Sequence, residues 1–270
     1  MTFQPSQPEP FAAERLRPGR ISLVGAGPGA ADLLTFRAVE RMRQADVIFY
    51  DRLVEPEVLE MAGPGPRRVF VGKEVGAHDW PQERIDATIT AAALSGLAVV
   101  RLKSGDPSVF GRACEEIAAA RAFGIEVEII PGITAASAAA AALCRPLTER
   151  GATDRLVLAT ATCRPGDRKP DLAALARPGT TVALYMAMHR LDEVADEFRA
   201  AGVPDDAEVL ICAHVARPGQ RSLVTTLARM ARDARRESLG NPAVVFLRLP
   251  RQQAASERAA RRADAAAVPS

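Results

Sequence analysis

Gly25-Ala26-Gly27-Pro28-Gly29-Ala30 follows a short apolar run and leads into a helical pattern, the placement at which backbone N–H groups hold phosphate. The spacing fits G-x-G-x-x-G/A, and Asp51 ends the next apolar run, near the position where a dinucleotide fold carries its ribose-binding acid. Nicotinamide-linked redox chemistry is therefore one reading of these residues. Two features weigh against it. Pro28 lacks the N–H that a pyrophosphate would use, and Gly29 adds a backbone freedom the fingerprint does not require. A tight strand-to-helix turn that holds no ligand accounts for the same residues.

A second polar loop, Lys103-Ser104-Gly105-Asp106-Pro107, follows another apolar run. Gly105 permits close backbone approach, and Asp106 offers a carboxylate to hydroxyl or ammonium groups, although Asp before Pro is also an ordinary turn signal. Thr134 opens an Ala-rich helical stretch, where a hydroxyl commonly caps, and Met186 ends an apolar run, a position common in cores. Asp51 suits either a turn carboxylate or a proton acceptor facing a cleft. Lys73, taken alone, suits a solvated charge. Cys114, Cys144, Cys163 and Cys212 form no C-x-x-C pair, and three histidines add no ligand spacing. No metal is expected, and the thiols are expected to be free and buried in a reducing compartment. Cys114 has no base arranged to activate it.

These residues need strands and helices to present them. Apolar β-branched runs predict strands at Ile21–Val24, Val47–Tyr50, Val69–Gly72, Leu97–Leu102 and Ile125–Ile130. A helix is expected from Asp32, as its cap, with another between Pro81 and Gly96 and a third from Thr134 to Leu143. Further strands are expected at Leu156–Ala161, Thr181–Met186, Glu208–Ala213, Leu223–Thr226 and Ala243–Leu247. The alternation implies an α/β protein of two domains with a cleft between them, largely parallel first and mixed later. Residues 1–19 read as a disordered Pro-rich tail, 20–145 and 152–250 as the N-terminal and C-terminal α/β domains, 146–151 as their linker, and 251–270 as an Ala/Arg-rich tail. The net charge of +2 gives no electrostatic case for nucleic acid, and the absence of an 18-residue apolar run gives none for a membrane span. A cytoplasmic protein is expected.

Several segments occur in one order: Gly25-Ala26-Gly27-Pro28-Gly29, Tyr50-Asp51-Arg52-Leu53-Val54, Val71-Gly72-Lys73, Gly76-Ala77-His78, Arg101 to Arg112 around Gly105-Asp106-Pro107, Pro131-Gly132-Ile133-Thr134-Ala135, and Tyr185-Met186. Together they resemble the tetrapyrrole methylase family, and within it the uroporphyrinogen-III C-methyltransferases. The resemblance implies two α/β domains, a homodimer, and a cleft that binds S-adenosyl-L-methionine and releases S-adenosyl-L-homocysteine. It implies methylation of uroporphyrinogen III, through precorrin-1 to precorrin-2, on the way to sirohaem and cobalamin. It places Pro28, Ser104, Gly105, Asp106, Val109, Thr134, Ala135, Met186 and Val215 at the methyl donor. Asp51 matches the proton acceptor and Lys73 the proton donor. Substrate carboxylates call for guanidinium forks, for which Arg52, Arg112 and Arg150 are candidates, with His78 beside them.

The match departs in places. Ser104 stands where the family commonly has glycine, Ala113-Cys114 where it has Gly-Gly, and Glu149 where it has histidine. Thr160-Ala161-Thr162 replaces Thr-Gly-His, and His214-Val215-Ala216 replaces Asn-Gly-Thr. A methylase of a later precorrin, a divergent paralogue, or a binding protein that keeps the donor site therefore remain alternatives, alongside the nicotinamide reading.

Overall fold

The computed structural model describes residues 18–72, 80–163, 166 and 168–251. Lys73, His78 and most of both expected tails lie outside the described residues. The first sheet contains β1 (Arg20–Gly25), β2 (Val47–Tyr50), β3 (Arg67–Phe70), β4 (Val99–Lys103) and β5 (Glu126–Ile130) in the order β3-β2-β4-β1-β5. Every pairing in it is parallel. Parallel strands are covered on both faces, which is why β1 and β2 are mostly apolar runs rather than alternations. Helices α1 (Phe36–Arg43) and α2 (Pro56–Glu60) set Ala38, Met42, Val58 and Leu59 against Val24, Ile48, Val100 and Leu102. On the other face, α3 (Gln82–Leu94) and α4 (Ala113–Arg121) set Ile85, Ile89 and Ala113 against Ile21, Leu23, Phe49 and Val99.

The second sheet contains β6 (Arg155–Thr160), β7 (Thr180–Tyr185), β8 (Glu208–Ala213), β9 (Arg221–Thr226) and β10 (Ala243–Leu249), in the order β6-β7-β10-β8-β9. Only β6 and β7 run parallel in it; β10 is antiparallel to both neighbours and β8–β9 is antiparallel. Helices α6 (Leu191–Ala200) and α7 (Met230–Arg236) cover one face through Val194, Phe198 and Met230. The other face receives α5 (Ala135–Ala142), whose Ala136, Ala138 and Ala139 lie against Ala183, Leu210, Cys212 and Phe246. Small side chains let this helix approach the sheet closely. Because α5 follows the last strand of the first sheet, it carries the chain from one sheet onto the other. Phe49, Phe198 and Phe246 are among the largest fully buried side chains, and each such side chain contributes about 1.5–3 kcal/mol by leaving water.

Four local expectations are corrected. No helix begins at Asp32: Ala31–Leu33 is a single 3₁₀ turn, and α1 begins at Phe36. Thr35 is its cap, with extended backbone and an Oγ1 that accepts the Ala38 N–H at 3.1 Å. β3 covers Arg67–Phe70 rather than Val69–Gly72, in register with Val47–Tyr50. β4 begins at Val99 because the Ala98 N–H is taken by the Asp46 carboxylate at 2.7 Å. Of the thiols expected to be buried, only Cys212 is; Cys114, Cys144 and Cys163 are exposed. Cys114 lies in the first turn of α4, and Cys144 follows α5, so each stands at a helix end where the fold is open to water.

Candidate active site

The loops that leave the carboxyl ends of β1, β4 and β5 meet at three glycines. A Cβ on Gly132 would stand 2.2 Å from the Gly105 carbonyl, and one on Gly25 would stand 2.6 Å from the Gly132 backbone. Gly105, with φ of 71°, needs the left-handed region that glycine enters without strain. The Gly-rich turn is paired to the β4 loop: Gly27 N–H donates to the Gly105 carbonyl at 3.2 Å, and Gly105 N–H returns to Gly27 at 2.6 Å. Ala26 N–H is bonded to Lys103 in the same way, at 2.7 Å. These donors are spent inside the protein, and only a single 3₁₀ turn, Ala31–Leu33, follows before α1 begins at Phe36. The Ala26 and Gly27 N–H groups are thereby unavailable to a pyrophosphate, which weighs against the nicotinamide reading.

Asp106 fixes this junction. Its Oδ2 accepts the Gly132 N–H at 3.0 Å, while its Oδ1 accepts the Ser108 N–H at 2.8 Å and the Ser108 hydroxyl. The carboxylate is thus both an Asx turn and a staple between the β4 and β5 loops. Ser104 is not among the positive-φ residues, so its replacement of glycine carries no backbone strain. Thr134 occupies the cap position of α5 but does not cap it; its hydroxyl meets the Tyr185 hydroxyl, which also accepts the Ala136 N–H at 3.0 Å. Met186 has φ of 55° and is 44% exposed, so it leaves the β7 core and faces the cleft.

Every residue expected at the methyl donor, from Pro28 through Val215, lines one cleft of about 790 Å³ between the two sheets. Its walls mix apolar side chains with a few polar groups, the usual character of a small-molecule site. A Cβ on Gly105 would meet nothing closer than 3.9 Å, so its open side accepts the close approach of a ligand. Arg52 also lines the cleft. Arg112 and Arg150 do not: the Arg112 guanidinium is turned to Glu115 at 2.7 Å, and Arg150 is exposed in the turn before β6. Of the departures from the family pattern, Ser104, Thr162, His214 and Val215 line the cleft, whereas Glu149 faces β10 and pairs with Arg248 at 3.4 Å.

Asp51 stands behind Arg52 at the end of β2, its side chain 26% exposed. Its Oδ1 accepts the Leu53 N–H at 3.0 Å and its Oδ2 the Arg101 guanidinium at 3.1 Å, so both oxygens are fixed. Behind it, Arg101 and Lys103 share Glu116, at 3.2 and 2.8 Å. All three are buried, and losing one partner of such a set costs about 3–5 kcal/mol because the others are left uncompensated. Burial, and then the Arg101 charge, hold the Lys103 ammonium below its usual pKa, against the pull of Glu116 and Asp51. Among the described residues no group of three His, Cys, Asp or Glu is placed to hold a metal.

Sequence reasoning missed Tyr185 as a site residue, Arg101 with Glu116, and Arg217, which lines the cleft from the loop between β8 and β9. Tyr185 was within reach, beside Met186 in one motif. Arg101 was signalled by a charge inside a strand buried on both faces, which demands a partner. Arg217 carried no signal of spacing.

Residues 20–231 match the family model of the Tetrapyrrole (Corrin/Porphyrin) Methylases. The chain is 43% identical over 230 residues to a uroporphyrinogen-III C-methyltransferase of Paracoccus denitrificans, covering 85% of this chain and 80% of that protein. It is 41% identical to a siroheme synthase of Gluconacetobacter diazotrophicus, of which it spans 49% while 85% of this chain is covered. Among solved structures, uroporphyrin-III C-methyl transferase of Thermus thermophilus, complexed with S-adenyl homocysteine, superposes with a TM-score of 0.72 at 34% identity, over 85% of this chain and 97% of that one. A cobalt precorrin-4 methyltransferase superposes with a TM-score of 0.75 at 28% identity, over 84% and 94%. The chain belongs to the tetrapyrrole (corrin/porphyrin) methylases.

Proposed function

We propose that the protein methylates two carbon atoms of uroporphyrinogen III, through precorrin-1 to precorrin-2, using S-adenosyl-L-methionine and releasing S-adenosyl-L-homocysteine. The observation that carries this reading is the convergence of the donor residues, drawn from the loops after β1, β4, β5, β7 and β8, on one cleft. When bound, the donor supplies a sulfonium methyl as electrophile. Methyl transfer depends on in-line alignment more than on a protein nucleophile, and the stapled loops around Gly105, Asp106 and Gly132 supply rigid walls for it. Met186 and Val109 present apolar surface, Ser104 and Thr134 hydroxyls, and the Pro28 turn closes one side. After a pyrrole carbon is alkylated the macrocycle must lose a proton, and Asp51 accepts it; Lys73 is the matching proton donor. Arg52 reaches substrate carboxylates from the lining, while Arg112, Arg150 and His78 serve those that extend beyond it.

Residues 20–145 and 152–250 act as the two domains in this reading, and 146–151 as the link. The protein works in the cytoplasm as a homodimer, in sirohaem and cobalamin formation; sedimentation should return twice the chain mass of 28.7 kDa, and a chain mass at micromolar protein would contradict the dimer. The higher identity to the uroporphyrinogen-III enzyme favours that substrate over a later precorrin. Calorimetry with S-adenosyl-L-homocysteine and with NAD tests the site directly. The former should bind and the latter should not; the reverse would return the Gly-rich turn to redox chemistry.

A further inference from the structure

Arg217 leaves the loop between β8 and β9 and crosses to the first sheet, with its side chain only 8% exposed. Each guanidinium nitrogen has a different acceptor there. Nε donates to the Pro28 carbonyl at 3.0 Å, one terminal nitrogen to the Glu55 carboxylate at 2.7 Å, and the other to the Leu53 carbonyl. Pro28 belongs to the turn that closes the donor side of the cleft. Leu53 belongs to the turn that fixes Asp51, since the Leu53 N–H is the donor to Asp51 Oδ1. One side chain of the second sheet therefore holds both turns of the first.

The surrounding backbone is shaped for this crossing. A Cβ on Gly29 would stand 2.5 Å from both the Ala216 carbonyl and Arg217 Cγ, so the absence of a side chain there lets the loop come close. His214 and Ala216 take φ of 52° and 54°, which non-glycine residues keep only where their surroundings hold them. The holding bonds run from Ala216 N–H to Gln220 Oε1 at 2.7 Å and from Arg217 N–H to the His214 carbonyl at 3.0 Å. Burial weakens the Arg217 hold on its proton, and Glu55 and Asp51 oppose that effect. A lysine could not reproduce the arrangement, because one ammonium cannot span three acceptors that a planar fork reaches.

We propose that Arg217 is a positioning residue that holds the donor-side turn and the Asp51 turn in register across the cleft, acting on Asp51 through the Leu53 peptide. The inference rests on the methyl-transfer reading above. Its test compares wild type, Arg217→Met and Arg217→Lys in the anaerobic assay with uroporphyrinogen III and labelled S-adenosyl-L-methionine, alongside S-adenosyl-L-homocysteine affinity and thermal midpoint. Both variants should lose tenfold or more in kcat, with KM for the tetrapyrrole and the thermal midpoint changed far less, and Lys should rescue little. A folded variant with kcat within twofold of wild type overturns the inference. So does a loss of turnover in a folded variant that saturating S-adenosyl-L-methionine restores in full, because the Asp51 turn would then be undisturbed. Should Arg217→Met fail to fold, the same two criteria applied to Arg217→Lys decide. Inert wild-type protein would overturn the methyl-transfer reading, and the inference with it, whereas active wild type with active variants overturns the inference alone.

Discussion

Asp51 is held at both oxygens, by the Leu53 N–H and the Arg101 guanidinium, with the buried Glu116 and Lys103 behind. A carboxylate so constrained is suited to take a proton from a fixed direction. Asp51→Asn keeps the shape and loses the base, so methyl transfer should fall by about 10²–10⁴, the usual contribution of a general base. Donor affinity should stay within about twofold by calorimetry, since Asp51 is not among the residues expected at the methyl donor. Undiminished turnover in that variant removes Asp51 from the mechanism. Asp106 behaves differently, because its carboxylate ties the β4 loop to Gly132. Asp106→Ala should weaken S-adenosyl-L-homocysteine binding roughly tenfold or more, in keeping with about 1.5–3 kcal/mol for a hydrogen bond to a charged group. Unchanged affinity would show that the staple does not matter to the donor.

At the scale of elements, the three-glycine contact is the feature on which the site is built. Gly132→Ala forces a Cβ against the Gly105 carbonyl, and overpacking of this kind costs about 1–3 kcal/mol. Thermal unfolding should move down, and donor binding should weaken with it; a variant that keeps both would mean the loops can separate freely. A second element-scale prediction concerns β5. Burial alone would raise the Glu128 pKa, but hydrogen bonds from Arg41 and Ser22, with the Arg41 charge, hold it below the usual carboxylate value of 4.5. The folded pKa lies below the unfolded one, so this stabilisation is present above pH 4.5 and is lost as pH falls through the folded value. Glu128→Gln should flatten the acid side of a thermal midpoint against pH profile, and a parallel curve would contradict the assignment. The strands were legible because buried parallel strands are apolar runs. The start of α1 was not, since Asp32 and Thr35 are both capping residue types and only the backbone selects between them. Glycine positions were legible too, but not which loops they bring together.

At the scale of the whole molecule, a parallel sheet and a mixed sheet face one another across a cleft, with α5 carrying the chain between them and Arg217 bonding back. The residues that the resemblance to the family places at the methyl donor line one cleft although they come from both halves of the chain. The substrate forks were less legible: an arginine beside a motif turns either to the cleft, as Arg52 does, or to a neighbouring acid, as Arg112 does toward Glu115. Long-range contacts such as Arg217 to Leu53 leave no periodic trace, because nothing in local sequence encodes a partner 164 positions away. The central claim is the reaction itself. Purified protein should be incubated anaerobically with uroporphyrinogen III and methyl-labelled S-adenosyl-L-methionine, and the tetrapyrrole products read by mass. The account predicts two labelled methyl groups per macrocycle; an unlabelled macrocycle from protein that binds S-adenosyl-L-homocysteine would contradict it.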